Sequence, residues 1–430
     1  MNKKIDRGLG KTVDWQLVFY YLLLVFIGWV SIYASIHSSE PSGIFAWGSR
    51  SGKQFIWMLT SFGIAALILF VINPRLWEVI SVPAYFVVGF LLVAVIFVGS
   101  EVKGSHSWFQ FGPVSFQPAE ISKITTSLML ATLMSKSNFS FNRRKDFWRV
   151  MSAVLIPMLI IVAESETGSA LVYVGFMFAM FREGLSGWYL VIILAAIILF
   201  ILTLKTSVWV ALIVVGVAAL IGLLIILRNF RPRSRERRKA LPLLFLGVAG
   251  TIIMTLSTSF VFDKVLAEHQ RKRIEVLLGM TEDPAGVGYN VRQSMIAIGS
   301  GGFFGKGFLQ GTQTTYGFVP EQSTDFIFCT IGEEWGFFGC TVVILLYALM
   351  IIRIIKNSEK SRGAFTRIYG YCLASCLFMH LLINIGMTIG LMPVIGIPLP
   401  FISYGGSSLW AFTILLFIFI ALDRQENKYF

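Results

Sequence analysis

Residues 208–227 read VWVALIVVGVAALIGLLIIL, twenty residues without a charge between Lys205 and Arg228. At about 1.5 Å per residue the run spans about 30 Å as a helix, the hydrocarbon thickness of a bilayer. Moving outward, similar runs occur at 15–33, 55–72, 79–99, 118–134, 150–163, 168–181, 187–204, 241–261, 326–352, 368–391 and 409–422. The spacing predicts about twelve transmembrane helices and an all-α polytopic membrane protein. The fifth and sixth runs are short and meet at Glu164-Ser165-Glu166-Thr167, so they read as a tilted or broken pair. The first has the length of an anchor and is followed by further spans, which reads as an uncleaved helix rather than a signal peptide.

Composition agrees. Of 430 residues, 56% are hydrophobic and 14% charged, with a mean hydropathy of +0.75, against roughly 45–50% and about 25% in ordinary soluble proteins. A soluble globular enzyme is excluded. Cys329, Cys340, Cys372 and Cys376 all lie in apolar runs without metal-type spacing and read as packing residues.

The net charge of +13 would suggest a nucleic-acid partner in a soluble chain. Here its location matters first. With the N-terminus in the cytoplasm and spans alternating, 25 of the 36 Lys and Arg fall inside, including Lys3, Lys4, Arg7, Lys11 and seven between 228 and 239. The short outer loops hold only Arg50, Lys53, Lys103 and Lys205. This is the positive-inside pattern, from which long outer loops are exempt. Both termini are expected in the cytoplasm, and the charge reads as topology and attraction to anionic membrane lipids, with no nucleic acid. The long extracytoplasmic loop, 262–324, is where chemistry would fit, an ordered, turn-rich segment with too few aliphatic residues to bury a core of its own.

Ionisable residues within spans are costly, by roughly 2.5–3.5 kcal/mol or more each, and ask for a reason. Glu120 and Lys123, three apart, share a helical face and read either as a self-neutralising pair or as the lining of a polar cavity. Glu333 and Glu334 lie two turns into the tenth span, where pairing with Lys123 or an arginine competes with catalysis. Glu164 and Glu166 read as solvated at an outer turn. The long loop gathers His269, Arg271, Lys272, Arg273, Arg292 and Lys306, which suit either a phosphate group or anionic lipid in general. The neighbouring glycine run 299–307, GSGGFFGKG, permits close backbone approach, but it is not a Walker loop because Gly307 follows Lys306. Asp325 follows Ser323 and Thr324 and reads either as a helix cap or as a general base or metal ligand at the membrane surface. Trp108, near Phe109, Phe111 and Phe116, belongs either to an interfacial aromatic belt or to a platform for a sugar or lipid.

Taken together, the stretches at 112–123 (GPVSFQPAEISK), 269–274 (HQRKRI), 283–289 (DPAGVGY), 293–313 (QSMIAIGSGGFFGKGFLQGTQ), 319–336 (VPEQSTDFIFCTIGEEWG) and 384–408, which contains GIPLPFISYGGSS, resemble the SEDS family (shape, elongation, division, sporulation) of cell-wall proteins. They recur in the family's order over nearly the whole chain, and GSGG-x-x-GKG followed by GTQ is similar to the elongation-type, RodA-like branch. The resemblance implies a peptidoglycan glycosyltransferase of the bacterial inner membrane that polymerises lipid II during elongation and cell-shape maintenance. Its implied partners are a class B penicillin-binding protein and the elongation machinery. It also implies Asp325 as the essential carboxylate, Glu120 and Lys123 as a cavity pair, and Arg271 and Arg273 as the loop arginines; from their own chemistry, as a loop cation and an aromatic platform, Lys306 and Trp108 are expected as further substrate contacts.

An inverting transfer with release of undecaprenyl pyrophosphate follows from an α-linked donor and a β-linked product. A divalent cation (Mg or Mn) at Asp325 stays open, with no other cofactor expected. The chain departs from the family at 164–168, ESETG where Gln-Pro-Asp-x-Gly is usual, and at Ser323, where His is usual. Ten spans are typical of the family, so two of the twelve are expected to be an inserted pair within 187–261. The competing readings are a lipid II flippase, a septal FtsW-like polymerase and a scaffold for the transpeptidase.

Overall fold

The computed structural model describes residues 13–37, 43–102, 105–111, 114–231, 234–266, 268–281 and 286–428. Lys3, Lys4, Arg7 and Lys11, with Lys103, Gly112, Pro113, Arg233 and residues 283–285, lie outside the described residues. The helices are α1 (Trp15–Ile36), α2 (Arg50–Ala66), α3 (Arg75–Val98), α4 (Pro118–Met134), α5 (Arg144–Ala163), α6 (Thr167–Tyr173), α7 (Phe176–Arg182), α8 (Trp188–Lys205), α9 (Val208–Asn229), α10 (Arg235–Phe260), α11 (Glu268–Leu277), α12 (Val287–Ser300), α13 (Thr312–Thr315), α14 (Ile327–Lys360), α15 (Ala364–Thr388) and α16 (Gly406–Lys428). Strands β1 (Ser100–Val102), β2 (Ser105–Phe111) and β3 (Val114–Phe116) form a small antiparallel sheet with β2 in the middle.

The protein is a polytopic helical membrane protein, with ten helices long and apolar enough to cross a bilayer among the described residues. The other two expected spans are shorter. The α4 helix has 17 residues, and the Thr167–Arg182 segment is interrupted between α6 and α7. There Gly175 sits against Met379, whose Cγ would be 2.4 Å from an added Cβ. The segment 262–324 holds α11, α12 and α13 and is more helical than its turn-rich composition suggested. Tertiary contacts supply the stability that short helices lack alone.

The chain divides into two compact units, Met1–Leu185 with Asn290–Phe430, and Ser186–Tyr289. In the second, α8, α9 and α10 leave Ile192, Ile213, Leu224, Leu246 and Ile253 exposed and bury few residues, among them Ala211 and Val215. A helix apolar all round that exposes its side chains is solvated by lipid, not water. The first unit is built round α15, which buries side chains on most of its circumference, including Tyr369, Cys372, His380 and Asn384. Because lipid tails are as apolar as leucine, such helices associate by close packing at small residues. Gly28 of α1 illustrates this, since an added Cβ would stand 2.5 Å from the Ile402 Cα.

The α14 helix is broken at Gly336 (φ 62°, ψ −159°), roughly 14 Å along from its start. An interruption at that depth in an apolar span leaves peptide groups that must be satisfied by protein. The glycine run 299–307 does this, backbone to backbone. Lys306 N donates to Glu333 O (3.0 Å), Gly307 N to Glu334 O (3.0 Å), Phe337 N to Gly302 O (2.9 Å) and Phe338 N to Phe303 O (3.0 Å). The missing side chains make room for this. A Cβ on Gly301 would lie 2.0 Å from Gly332 O and one on Gly305 2.1 Å from Glu334 O. The close approach expected of the glycines is therefore made to α14. Gly301→Val should lower stability by about 2–4 kcal/mol through this backbone clash, read as a fall in the apparent Tm of the detergent-purified protein.

Candidate active site

Asp325 stands one residue before the N-cap of α14, which is Phe326 and has no side-chain cap bond. The cap reading of Asp325 is thus displaced by one residue. What holds the segment is a set of bonds to five other elements. Arg50 Nη1 at the start of α2 donates to Ser323 Oγ (2.8 Å). Tyr404 N donates to Ser323 O (2.9 Å), and Ser403 Oγ to Thr324 O (2.7 Å). From α15, Asn384 Nδ2 donates to Asp325 O (2.9 Å) and to Ile397 O (2.7 Å). Gln322 Nε2 donates to Thr314 O of α13 (2.8 Å) and also to Ser35 O of α1. The Asp325 carboxylate is only partly buried, and its Oδ2 would be 3.3 Å from a Cβ on Gly396 (φ +75°). A partly exposed carboxylate on an immobilised backbone can accept a proton from a hydroxyl brought to it.

The chain between α15 and α16, residues 389–405, forms the other wall. Gly390, Gly396 and Gly405 have positive φ, as does Phe401, so the segment turns sharply rather than continuing either helix. Gly168, at the start of α6, lies against it, with Ile397 Cγ1 2.8 Å from an added Cβ. The turn before Gly168 carries Glu166, which accepts from Ser107 Oγ of β2 (2.8 Å). Ser107 is the neighbour of Trp108. Trp108 itself is half-exposed on the sheet, and Ser100 Oγ donates to its carbonyl (3.1 Å).

Glu164, expected in solvent, is buried at 2% exposure, and neither carboxylate oxygen has a hydrogen-bond partner among the described residues. Burial first, and the neighbouring Glu166 carboxylate second, push its pKa up to about 8.

Glu120 and Lys123 do pair, at 2.8 Å, with side chains only 4% and 2% exposed. Glu333 pairs with neither Lys123 nor an arginine but with Lys306 (2.6 Å). Its carboxylate also accepts from the backbone N–H groups of Thr312 (2.7 Å), Gln313 (2.9 Å) and Thr314 (2.8 Å), the first turn of α13. Lys306 thereby becomes part of the fold of its loop, with Thr312 Oγ1 also accepting from it (2.7 Å). Glu334 Oε1 accepts from Leu309 N (3.1 Å).

In the second unit, Arg271 and Arg273 lie on α11, where residues two apart point to different sides. They do not form one clamp. Arg271 Nε sits 3.6 Å from Glu275 Oε1, one turn on.

Arg50, His380, Asn384 and Ser403 were not singled out by sequence. The rule that ionisable residues inside spans need a reason would have found His380. The others were legible only as a topology charge or as small polar residues.

The comparisons with known proteins agree with this architecture. The profile of the family described as FTSW_RODA_SPOVE, cell cycle protein, matches residues 14–241 and 240–428. The peptidoglycan glycosyltransferase MrdB of Escherichia coli strain K12 is 32% identical over 375 residues, covering 86% of this chain and 85% of that protein. The peptidoglycan glycosyltransferase RodA of Treponema pallidum is 31% identical over 440 residues, covering 98% and 99%. A solved structure described as structural coordination of polymerization and crosslinking by a peptidoglycan synthase complex superposes with a TM-score of 0.68 at 26% identity, covering 96% of this chain and 98% of that one.

Glu164 also yields a test. A carboxyl whose pKa is raised in the folded state stabilises it fully below the unfolded value near 4.5 and loses that contribution as pH rises toward about 8. Glu164→Gln should remove this component, flattening a decline on the order of 2 kcal/mol or more between those limits. Apparent Tm against pH, wild type beside variant, reads it.

Proposed function

This chain belongs to the family of FtsW, RodA and SpoVE cell cycle proteins, and on that premise we propose that it polymerises lipid II into glycan strands on the outer face of the bacterial inner membrane. Its activity is that of a peptidoglycan glycosyltransferase, the activity for which its relatives are named. The observation that carries the site assignment is the immobilised Asp325 segment, held from α1, α2, α13, α15 and the turn before α16.

In this reading Asp325 accepts the proton of the acceptor's 4-hydroxyl as that oxygen attacks the donor's C1. The departing undecaprenyl pyrophosphate gains negative charge, which guanidinium groups stabilise. Arg271 and Arg273 are the residues proposed for this, each by itself rather than as a fork. Trp108 offers a face for a sugar ring or lipid, with Glu120 and Lys123 as the polar floor and Lys306 as the cation that shapes its loop. The α-linked donor and β-linked product make the transfer a single inverting displacement. Asp325 would be the carboxylate available to hold a divalent ion, Mg²⁺ or Mn²⁺, which when bound would offset charge on the pyrophosphate. No group of three His, Cys, Asp or Glu that could hold a metal exists among the described residues.

The elongation role rests on the GSGG-x-x-GKG and GTQ motifs, and the same reading places a class B penicillin-binding protein beside the chain as transpeptidase. Both termini are assigned to the cytoplasm. There α1 and α14 meet through Asp14 and Arg353 (2.7 Å), and α15 and the end of α7 through Arg367 and Glu183 (2.9 Å).

Purified protein with its partner should extend labelled lipid II into glycan, and Asp325→Ala should lower the rate by about 100-fold or more while folding normally. A wild-type rate would remove Asp325 from the chemistry. Lipid II crossing liposomes independently of Asp325, with no polymer made, would favour a flippase. Arg273→Ala should lower kcat/KM for lipid II about tenfold, read in the same assay; unchanged kinetics would remove the pyrophosphate contact.

A further inference from the structure

The buried pair on α4 has a third member on α15. His380, with no exposed surface, places Nε2 2.9 Å from Lys123 Nζ and Nδ1 3.1 Å from Pro398 O. An ammonium only donates and a carbonyl only accepts, so the ring must accept at Nε2 and donate at Nδ1. Its partners thus select one neutral tautomer. Both His380 and Lys123 rest on Phe412, the imidazole edge-on at 4.7 Å and the ammonium over the ring at 4.9 Å. The charge of Lys123 is therefore met by Glu120, by the imidazole and by an aromatic face.

The consequence lies at Pro398. One helical turn along α15 from His380, Asn384 grips the adjacent carbonyl, Ile397 O, and with the same amide holds Asp325 O. Two successive carbonyls are thus fixed from one face of α15. Just before them is Gly396, whose missing Cβ lets the Asp325 carboxylate lie against the backbone. Moving the Pro398 carbonyl moves Gly396, and with it the wall of the carboxylate's pocket.

We propose that His380 is a positioning residue that transmits the fixed location of the buried Glu120–Lys123 pair to the turn holding Asp325. The proposal rests on the reading of Asp325 as the proton acceptor. His380 touches no reacting atom. It keeps a general base in register, and misplacement on the scale of an ångström is enough to cost rate.

Two substitutions separate this from packing alone. His380→Phe keeps a ring against Phe412 but removes both hydrogen bonds, whereas His380→Gln has one donor and one acceptor able to replace them. At matched amounts of folded protein, His380→Phe should lower kcat by about tenfold, with KM for lipid II within about twofold of wild type, and His380→Gln should restore most of the rate. A wild-type kcat in His380→Phe, or equal losses in the two variants, would overturn the proposal.

A second readout does not depend on turnover. In ¹⁵N-histidine spectra at neutral pH, the resonance lost in His380→Gln should show a protonated Nδ1 and a bare Nε2, and Lys123→Met should shift the Nε2 signal. A doubly protonated ring, or no response to Lys123→Met, would overturn the link to the buried charge. An active Asp325→Ala would instead overturn the general-base reading and leave these spectra as they are, so the two failures are distinguishable.

Discussion

Inside an apolar bilayer a peptide group without a partner costs several kcal/mol, and this constraint governs the architecture round the candidate site. The α14 helix could not break at Gly336 by itself. It breaks because residues 301–307 present a second backbone, close enough through their glycines to exchange four hydrogen bonds with it. The same device brings Lys306 to Glu333, and Glu333 in turn satisfies the first turn of α13. The loop, the short helix and the first turns of α14 therefore form one hydrogen-bonded body. Asp325 enters α14 from that body, which is why its backbone does not depend on the flexibility of a surface loop.

Buried charge obeys the same logic at higher stakes. Lys123 is almost wholly removed from solvent, and an unpaired ammonium there would be far costlier than an unpaired peptide. The pair with Glu120 neutralises it, while the neutral His380 and the Phe412 face complete its surroundings. Charge pairs of this kind contribute little net stability but can specify geometry. Here that geometry extends to Pro398 and Ile397, the carbonyls beside Gly396 and the Asp325 carboxylate. Two polar systems thus meet at one acid, one from the broken α14 and one from α4 through α15. Glu164, whose two carboxylate oxygens have no hydrogen-bond partner among the described residues, departs from this satisfaction, and its raised pKa follows from burial and from the neighbouring Glu166 carboxylate.

Most of the helical framework was legible from hydropathy, because a bilayer imposes a length and an apolar composition on whatever crosses it. The long helices α1, α3, α8, α9, α15 and α16 all fall on runs found by reading. Less legible were the elements whose existence depends on partners. The three-stranded sheet around Trp108 has strands of three and seven residues that no periodicity announces, and α13 has four residues and is organised by Glu333. The pairing of Glu120 with Lys123 could be read from their i, i+3 spacing. The pairing of Glu333 with Lys306 could not, because 27 residues separate them.

By itself the sequence determined a polytopic helical membrane protein and the motifs that carry its family likeness. These follow from local composition and order along the chain, which a bilayer reads directly. Only the tertiary structure decided which polar groups meet. It turned the glycine run toward α14 instead of toward open solvent, placed Arg271 and Arg273 on different sides of one helix, put Glu164 out of water, and joined Lys123 to Pro398 through His380. Those outcomes rest on the pairing of groups far apart in sequence, and where lipid offers no hydrogen bonds, that pairing is forced by whatever neighbour the fold supplies.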